Sequence, residues 1–295
     1  MSSYRITQRS LSQGTLANLQ TNLARFQRLQ EQLSSGRSIT RPSDSPTGTV
    51  SSLRLRAESR RSEQLLRNAL DGMGWLATAD TALTEGLGLV RRARDLALSG
   101  ANGAIGQEAR SAMAAEIDVL RDGLLTVANT TYLDRPVFGG TAGGGVAYDP
   151  AGAYVGDAGR VARTVAPGVD VRVNLTGEEV FGPSGDDLFA VLSDVAYHLR
   201  TDPAALTAGD LERLDTAFLR LQNSLATAGA RYHQVEIMQA RTESNQLDTK
   251  SELSEVEGVD LPATIVELQL QEVAYQAALG ATARVLTPSL VDFLR

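Results

Sequence analysis

The stretch from Asp260 to Arg295, DLPATIVELQLQEVAYQAALGATARVLTPSLVDFLR, most constrains what this chain can become. Leu261, Ile265, Leu268, Tyr275, Leu279 and Leu286 recur at helical spacing, and Val266, Leu270 and Val273 widen the stripe. Asp260 is placed to cap the helix, and Pro262 falls in the first turn, where a missing N–H costs little. A continuous helix from Leu261 to Leu294 would be about 50 Å long. Its stripe is too broad for a single partner. Glu267, Gln269, Gln271 and Glu272 make it too polar to span a membrane. Such a helix leaves apolar surface for something else to cover.

The opposite end of the chain has a matching pattern. Leu16, Leu19, Leu23, Phe26 and Leu33 form a heptad-like seam with a polar gap at Gln30. The segment SSGRSITRPSDSP, residues 34–46, then breaks the helix: Gly36 suits a C-terminal cap and Pro42 blocks continuation. Ser43 or Ser45 is placed to cap a second helix, with Pro46 near its first position. That helix should run from about Thr47 to Leu98, with Leu66, Ala69, Met73, Leu76, Leu83, Leu87 and Val90 on one face and Asp80 breaking it. After a turn at 99–106, a third helix carries Ala109, Met113, Ile117, Leu120, Leu124 and Val127. So short a loop predicts antiparallel packing.

From Arg135 to Gly185 the texture changes to glycine-dense sequence with short alternating runs, VAYDPAGAYVG, VARTV and VDVRVNLTG. This predicts a small β-rich insertion with tight turns. Read as a separate domain, it should be replaceable by a short linker without unfolding the helices. Helix resumes at 186–200. Beyond Pro203, Leu211, Leu214, Phe218, Leu221, Leu225, Ala228, Tyr232 and Val235 alternate in steps of three and four, with the pattern extending to about Val256. The fold class is therefore mainly α: an elongated antiparallel bundle or coiled coil formed by both chain ends, with a small β-rich insertion. Charge supports pairing of the ends. Residues 1–67 hold 11 arginines against 4 acids, a net of +7; residues 236–295 hold 3 arginines and 1 lysine against 10 acids, a net of −6.

Chemistry-bearing motifs are sparse. With no cysteine, disulfides and thiolate chemistry are excluded. The net charge of −7 argues against nucleic-acid binding, and no apolar run approaches a membrane span. No basic segment leads into an apolar one, so no cleaved secretory signal is expected. His198 and His233 have no matching ligand pattern. GGTAGGGV, residues 139–146, lacks the Gly-Lys-Ser/Thr of a phosphate loop and reads as a turn. Asn129-Thr130-Thr131 and Asn174-Leu175-Thr176 match the glycosylation triplet, a pattern with many false positives. Asp186 and Asp187 read as acids opening a helix, and Trp75 as core. No nucleophile, base and orienting acid stand out, so neither catalysis nor a cofactor or metal is expected.

QLSSGRSITRPSDSPTGTV resembles the N-terminal stretch of bacterial flagellins and their relatives. RARDLALSGANGAI, VANTTYLDRPVFGGTAGG, LTGEEVFG, LQLQEVAYQAALGATARVL and the closing PSLVDFLR are similar to the hook–filament junction branch of that family, the flagellar hook-associated protein 3 type. The resemblance implies an inner coiled-coil domain from residues 1–42 and 258–295. It implies a helical bundle domain from 43–134 and 186–257, and an outer β-rich domain at 135–185. It also implies a structural role at the junction between hook and filament, with self-assembly into a ring. The implied partners are hook-associated protein 1, flagellin and a cytoplasmic export chaperone on the C-terminal segment. The implied location is the extracellular flagellum, reached by type III export. Filament-forming flagellin is the near alternative; an enzyme or glycan binder using the insertion is the distant one. The expected assembly interface is Leu16, Leu19, Leu23, Phe26, Leu33, Ile265, Leu268, Leu279, Leu286, Leu290, Phe293 and Leu294. Both terminal segments are expected to be largely disordered before assembly, with Leu268 and Leu279 dispensable to the monomer.

Overall fold

A computed structural model of the 295-residue chain describes the backbone of residues 8–286 and the side chains of residues 13–283. It is mainly helical, with two small antiparallel sheets. Helix α1 spans Gln8–Ser35, α2 Pro46–Gly100 and α3 Gln107–Ala128. Strands β1 (Thr131–Tyr132) and β2 (Arg135–Pro136) form one hairpin, β3 (Ala162–Ala166) and β4 (Val169–Arg172) the other. Helices α4 (Gly177–Phe181), α5 (Leu188–Thr201) and the single turn α6 (Pro203–Ala205) follow. A wide π-helical turn, Leu206–Asp210, leads into α7 (Leu211–Glu257), and α8 (Leu261–Leu286) closes the described chain. The chain divides into two compact units, one drawn from residues up to 60 and from 247 onward, the other from residues 61–246.

The central unit is organised on the α2 seam. Leu65, Ala69, Gly72, Leu76, Ala79, Leu83, Gly86, Val90, Ala93, Ala97 and Gly100 are buried at alternating steps of four and three. The gap expected at Asp80 does not exist, because Ala79 occupies the seam and Asp80 points to solvent. Small residues on the stripe let neighbours approach closely. A Cβ on Gly86 would lie 3.4 Å from Leu124 and 3.7 Å from Leu221, which places α3 and α7 against the same point of α2. Arg92 pairs with Glu116 of α3 and Arg94 with Asp215 of α7, so both helices run antiparallel to α2. On α7 the expected alternation holds: Leu214, Leu221, Ala228 and Val235 are fully buried, and Leu211, Phe218, Leu225 and Tyr232 pack around the core.

The insertion shares this core. Val137, Phe138, Tyr148, Val161, Val165, Val171, Val173 and Phe181 are buried in one continuous apolar cluster with Trp75, Leu76, Phe189 and Leu192. Tyr148 stacks within 4.9–5.5 Å of Tyr154, Phe181 and Phe189, and Trp75 meets Tyr132 edge-on at 5.8 Å. Replacing the insertion by a linker would therefore strip the helices of buried surface, contrary to the expectation from sequence texture. Of the three alternating runs, VARTV and VDVR become β3 and β4, while 146–156 contributes only a Tyr148–Tyr154 bridge. The β1–β2 turn puts both Leu133 and Asp134 at positive φ, 49° and 61°, where glycine or asparagine is the usual occupant.

In the other unit, α1 stops at Gly36, whose φ of +69° is the left-handed conformation of a helix C-terminal cap. The Asp44 carboxylate folds the following loop back by accepting from Arg41 N–H, Thr40 N–H and the Thr40 hydroxyl at 2.8–3.2 Å. Ser45, rather than Ser43, caps α2 by accepting from Gly48 N–H at 3.1 Å, and Pro46 opens the helix. At the other end, Asp260 accepts from Ala263 N–H at 3.1 Å and starts α8.

Candidate assembly surface

The segments that follow α1 and α7 form a clasp. Ser38 donates its N–H to the Glu257 carbonyl at 2.7 Å and its hydroxyl to the same oxygen at 3.1 Å. Val259 N–H donates to the Gly36 carbonyl at 3.3 Å, completing an antiparallel bridge between Arg37 and Gly258. The buried Glu257 carboxylate receives Arg56 Nη2 at 2.6 Å and lies 3.6 Å from Arg37 Nε. Burial pushes this carboxyl up. Hydrogen bonds from Arg56 and Ser52, with the charges of Arg56 and Arg37, outweigh burial and hold it below its ordinary value.

From the clasp the two terminal helices run alongside one another. Gln271 Nε2 donates to the Asn22 carbonyl at 3.2 Å. Asn22 precedes the bridge by nearly as many residues as Gln271 follows it, so α1 and α8 are antiparallel. The less exposed positions define the seam: Thr15, Leu19, Asn22, Phe26, Leu29 and Leu33 on α1, and Thr264, Leu268, Gln271, Tyr275, Ala278 and Thr282 on α8. Each set steps four, three, four, three, four, the spacing of a coiled-coil seam. Within these helices only Leu29 and Thr264, each at 8% exposure, are fully buried among the described side chains.

The expected interface residues thus divide. Leu19, Phe26, Leu33 and Leu268 lie on the seam between α1 and α8. Leu16, Leu23, Ile265 and Leu279 flank it and are exposed. Leu286 lies in α8, but its side chain is outside the described residues, as are Leu290, Phe293 and Leu294 altogether. Sequence reading missed Leu29 and the polar members Thr15, Asn22, Thr264 and Gln271. The four–three rhythm from Leu19 to Leu33 was the available signal, masked by Leu16 and Leu23 on the neighbouring flank.

The outer side of α8 is apolar as well. Val266, Leu270 and Val273 lie roughly opposite the seam at 100° per residue; they are 56%, 66% and 65% exposed. A helix that is apolar on opposite faces needs cover on both, and α1 covers one.

The remaining sequence motifs serve the fold. Asn129 accepts from the N–H groups of Ala147 and Tyr148 and donates to the Tyr148 carbonyl. Asn174 is fully buried between Val161 N–H and the Gly159 carbonyl. Both amides of the glycosylation triplets are therefore engaged inside the chain. Asp187 caps α5 through Phe189 and Ala190 N–H, and Asp186 pairs with Arg213 at 3.0 Å. In the glycine-rich 139–146 turn, Asp157 holds the Thr141 N–H and hydroxyl at 2.6 and 2.7 Å. His198 Nδ1 meets the buried Asp210 at 2.5 Å, and exposed His233 meets Glu236 at 3.1 Å. Among the described residues no group of three or more His, Asp or Glu side chains is placed to hold a metal, and no helix is long and apolar enough to cross a membrane.

Residues 6–137 match the bacterial flagellin N-terminal helical region. Flagellar hook-associated protein 3 of Escherichia coli K12 is 25% identical over 304 aligned positions, which cover 94% of this chain and 95% of that protein. The chain is thus similar to members of the bacterial flagellin family, along nearly its whole length in the case of the hook-associated protein. Within the family, flagellins themselves match in part. Flagellin A of Vibrio anguillarum is 39% identical over 114 residues, 38% of this chain and 30% of that flagellin. The fold is shared with solved structures of FlgL from Bacillus cereus and of the flagellar junction protein FlgL from Legionella pneumophila. Their TM-scores are 0.60 and 0.56, at 19% and 14% identity. These cover 68% and 70% of this chain and 99% of each of the others. The terminal helices and their exposed apolar flanks form the candidate site.

Proposed function

We propose that this chain is the structural subunit that joins the flagellar hook to the flagellin filament, assembling as a ring of identical copies. The observation that carries this reading is the end-to-end match to a hook-associated protein 3, set against flagellin matches that cover 36–47% of the chain. The terminal helices support it physically: α8 has a second apolar face that its own partner helix leaves open. Leu16 and Leu23 on α1, with Leu261, Ile265, Val266, Leu270, Val273 and Leu279 on α8, are the surface a neighbouring subunit covers. The work done is mechanical, by burial of apolar surface along helices, with no bond made or broken in any substrate.

On this reading the partners are further copies of the chain, hook-associated protein 1 on the hook side and flagellin on the filament side. An export chaperone holds the C-terminal segment in the cytoplasm, and the chain leaves the cell through the flagellar type III apparatus. Residues 1–42 with 258–295 act as the inner domain, 43–134 with 186–257 as the bundle, and 135–185 as the outward part. Immunogold labelling of hook–filament preparations tests the assignment. Label restricted to a short zone at the filament base is expected; label along the filament would make the chain a flagellin, and no label would remove it from the organelle.

A further inference from the structure

Helix α7 carries a cationic groove of about 530 Å³ beside the end of the insertion. Leu175 and Glu179 form one wall; Arg220, Asn223, Thr227 and Arg231 line the other. Glu179 is already neutralised, because Arg172 donates to both of its oxygens at 2.8 and 2.7 Å. Arg220 and Arg231 are not: among the described residues neither has an ion-pair partner. Arg231 Nη1 donates to the Asn174 carbonyl at 3.0 Å, and Arg220 Nη1 lies 3.5 Å from the Phe181 carbonyl. Arg231 is half-buried. Burial, with the positive charges of Arg172 and Arg160, outweighs the opposing charge of Glu179 and holds its guanidinium below its ordinary range. An incoming carboxylate would relieve both effects.

The spacing narrows what the groove takes. Arg220 and Arg231 are 11 positions apart on one side of α7, about 16 Å along the axis. That spacing suits a polypeptide bearing two carboxylates, with Asn223 and Thr227 between the arginines to hydrogen-bond its backbone. The chain has acids to spare, with a net charge of −7. Asp80 and Glu85 stand exposed on α2 with no ion pair among the described residues.

We propose that this groove receives a carboxylate-bearing segment of a second copy of the chain, so that successive copies are joined by pairs from Arg220 and Arg231. The proposal rests on the ring-assembly reading above. A ring needs contacts in which one patch engages a different patch on the next copy. A cationic groove and carboxylates exposed elsewhere on the same chain meet that need.

The test places a photo-crosslinking amino acid at Asn223, which is exposed between the two arginines, in the full chain expressed in the bacterium. Hook–filament complexes are isolated and irradiated, and the products mapped by mass spectrometry. A product of twice the chain mass, joined to an acidic segment of the second copy, is expected. A crosslink to any other flagellar protein, or none, would overturn the proposal while leaving the junction assignment intact. Absence of the chain from the complexes would sink both. Arg220→Glu with Arg231→Glu should lower incorporation about tenfold or more, because like charges then face each other. The double Gln variant should give a smaller loss in the same direction. Circular dichroism melting of each purified variant identifies those that fold, and wild-type incorporation of a folded double-Glu variant, or of the double-Gln variant, would also overturn the proposal.

Discussion

Arg56 and Glu257, 201 positions apart in sequence, meet through a 2.6 Å hydrogen bond in which the carboxylate is buried and the guanidinium half-exposed. This pair ties the first turns of α2 to the last turn of α7 at the point where both terminal helices begin. Removing the arginine leaves a buried carboxylate with the Ser52 hydrogen bond and the longer contact to Arg37. Arg56→Leu should therefore cost about 1–3 kcal/mol. The loss should appear as faster amide exchange across α1 and α8, with the 61–246 core unaffected. Equal exchange in variant and wild type would show that the backbone bridge alone holds the clasp.

The same pair sets an acid limit. The Glu257 carboxyl lies below its ordinary value in the folded chain, so the folded state binds its proton less readily than the unfolded state does. Its stabilising contribution is complete above the unfolded value of about 4.3 and is lost as pH falls through the depressed folded value. Protection of α1 and α8 should decline over that window in the wild type. Glu257→Gln should have lower protection at neutral pH and flatten the part of the decline that Glu257 contributes. An unchanged slope in the variant would assign the acid sensitivity to other carboxylates.

Protection should also differ sharply along the wild-type chain. Among the described side chains the α1–α8 seam buries one apolar residue fully, Leu29, against an ordering cost of about 1–2 kcal/mol per residue of backbone. Leu76, Leu83, Leu124, Leu192 and Leu221 are sealed completely in the central core. Hydrogen exchange of dilute monomer should find α1 and α8 opening readily and α3, α5 and the middle of α2 slowly. Comparable protection in both would mean that the terminal pair is stable before assembly.

Two faces of α8 make two kinds of variant. Leu268 lies on the seam, so Leu268→Asp puts an unpaired carboxylate against α1 and weakens the helix pair in the monomer. Leu270 and Val273 face away, so Leu270→Asp or Val273→Asp should leave monomer circular dichroism and melting within about 0.5 kcal/mol of wild type. On the junction reading these outer variants should be exported normally yet fail to incorporate, with flagellin released into the medium. Normal filaments on cells that export Leu270→Asp would show that the outer face is not an assembly surface.

Replacing residues 140–182 with a short Gly/Ser linker should remove Tyr148, Val161, Val165, Val171, Val173 and Phe181 from the core. At about 1.5–3 kcal/mol for each large apolar side chain, the loss is as large as the whole stability of an ordinary domain, about 5–15 kcal/mol. Loss of helical circular dichroism at room temperature is expected. Retention of the wild-type signal would show that the helices hold together without the insertion.

Helices, breaks and caps were legible because each has a local cause: Gly36, Ser45 with Pro46, and the four–three rhythm of α7. Three things were not. Seams were misread where small or polar residues occupy them. Ala79 and Gly86 on α2, and Asn22 and Gln271 between α1 and α8, look like gaps to an eye that counts leucines. The attachment of the insertion was also hidden, since glycine-dense texture reports turns but not what Tyr148 or Val173 packs against. The Arg56–Glu257 clasp could not be read at all, because its two ends lie at opposite extremes of the chain and each sits in an unremarkable charged stretch.

The Arg37–Gly258 bridge fixes more than proximity: it sets the zero of phase between α1 and α8. One residue inserted between Leu33 and Gly36 would turn the whole of α1 by about 100° relative to that zero. Leu19, Phe26 and Leu29 would swing off the seam together. Seven inserted residues would return every side chain to its facing position one heptad along. Length changes in this arm should therefore be tolerated in multiples of seven and rejected in between, a periodicity that a series of engineered insertions would read out directly.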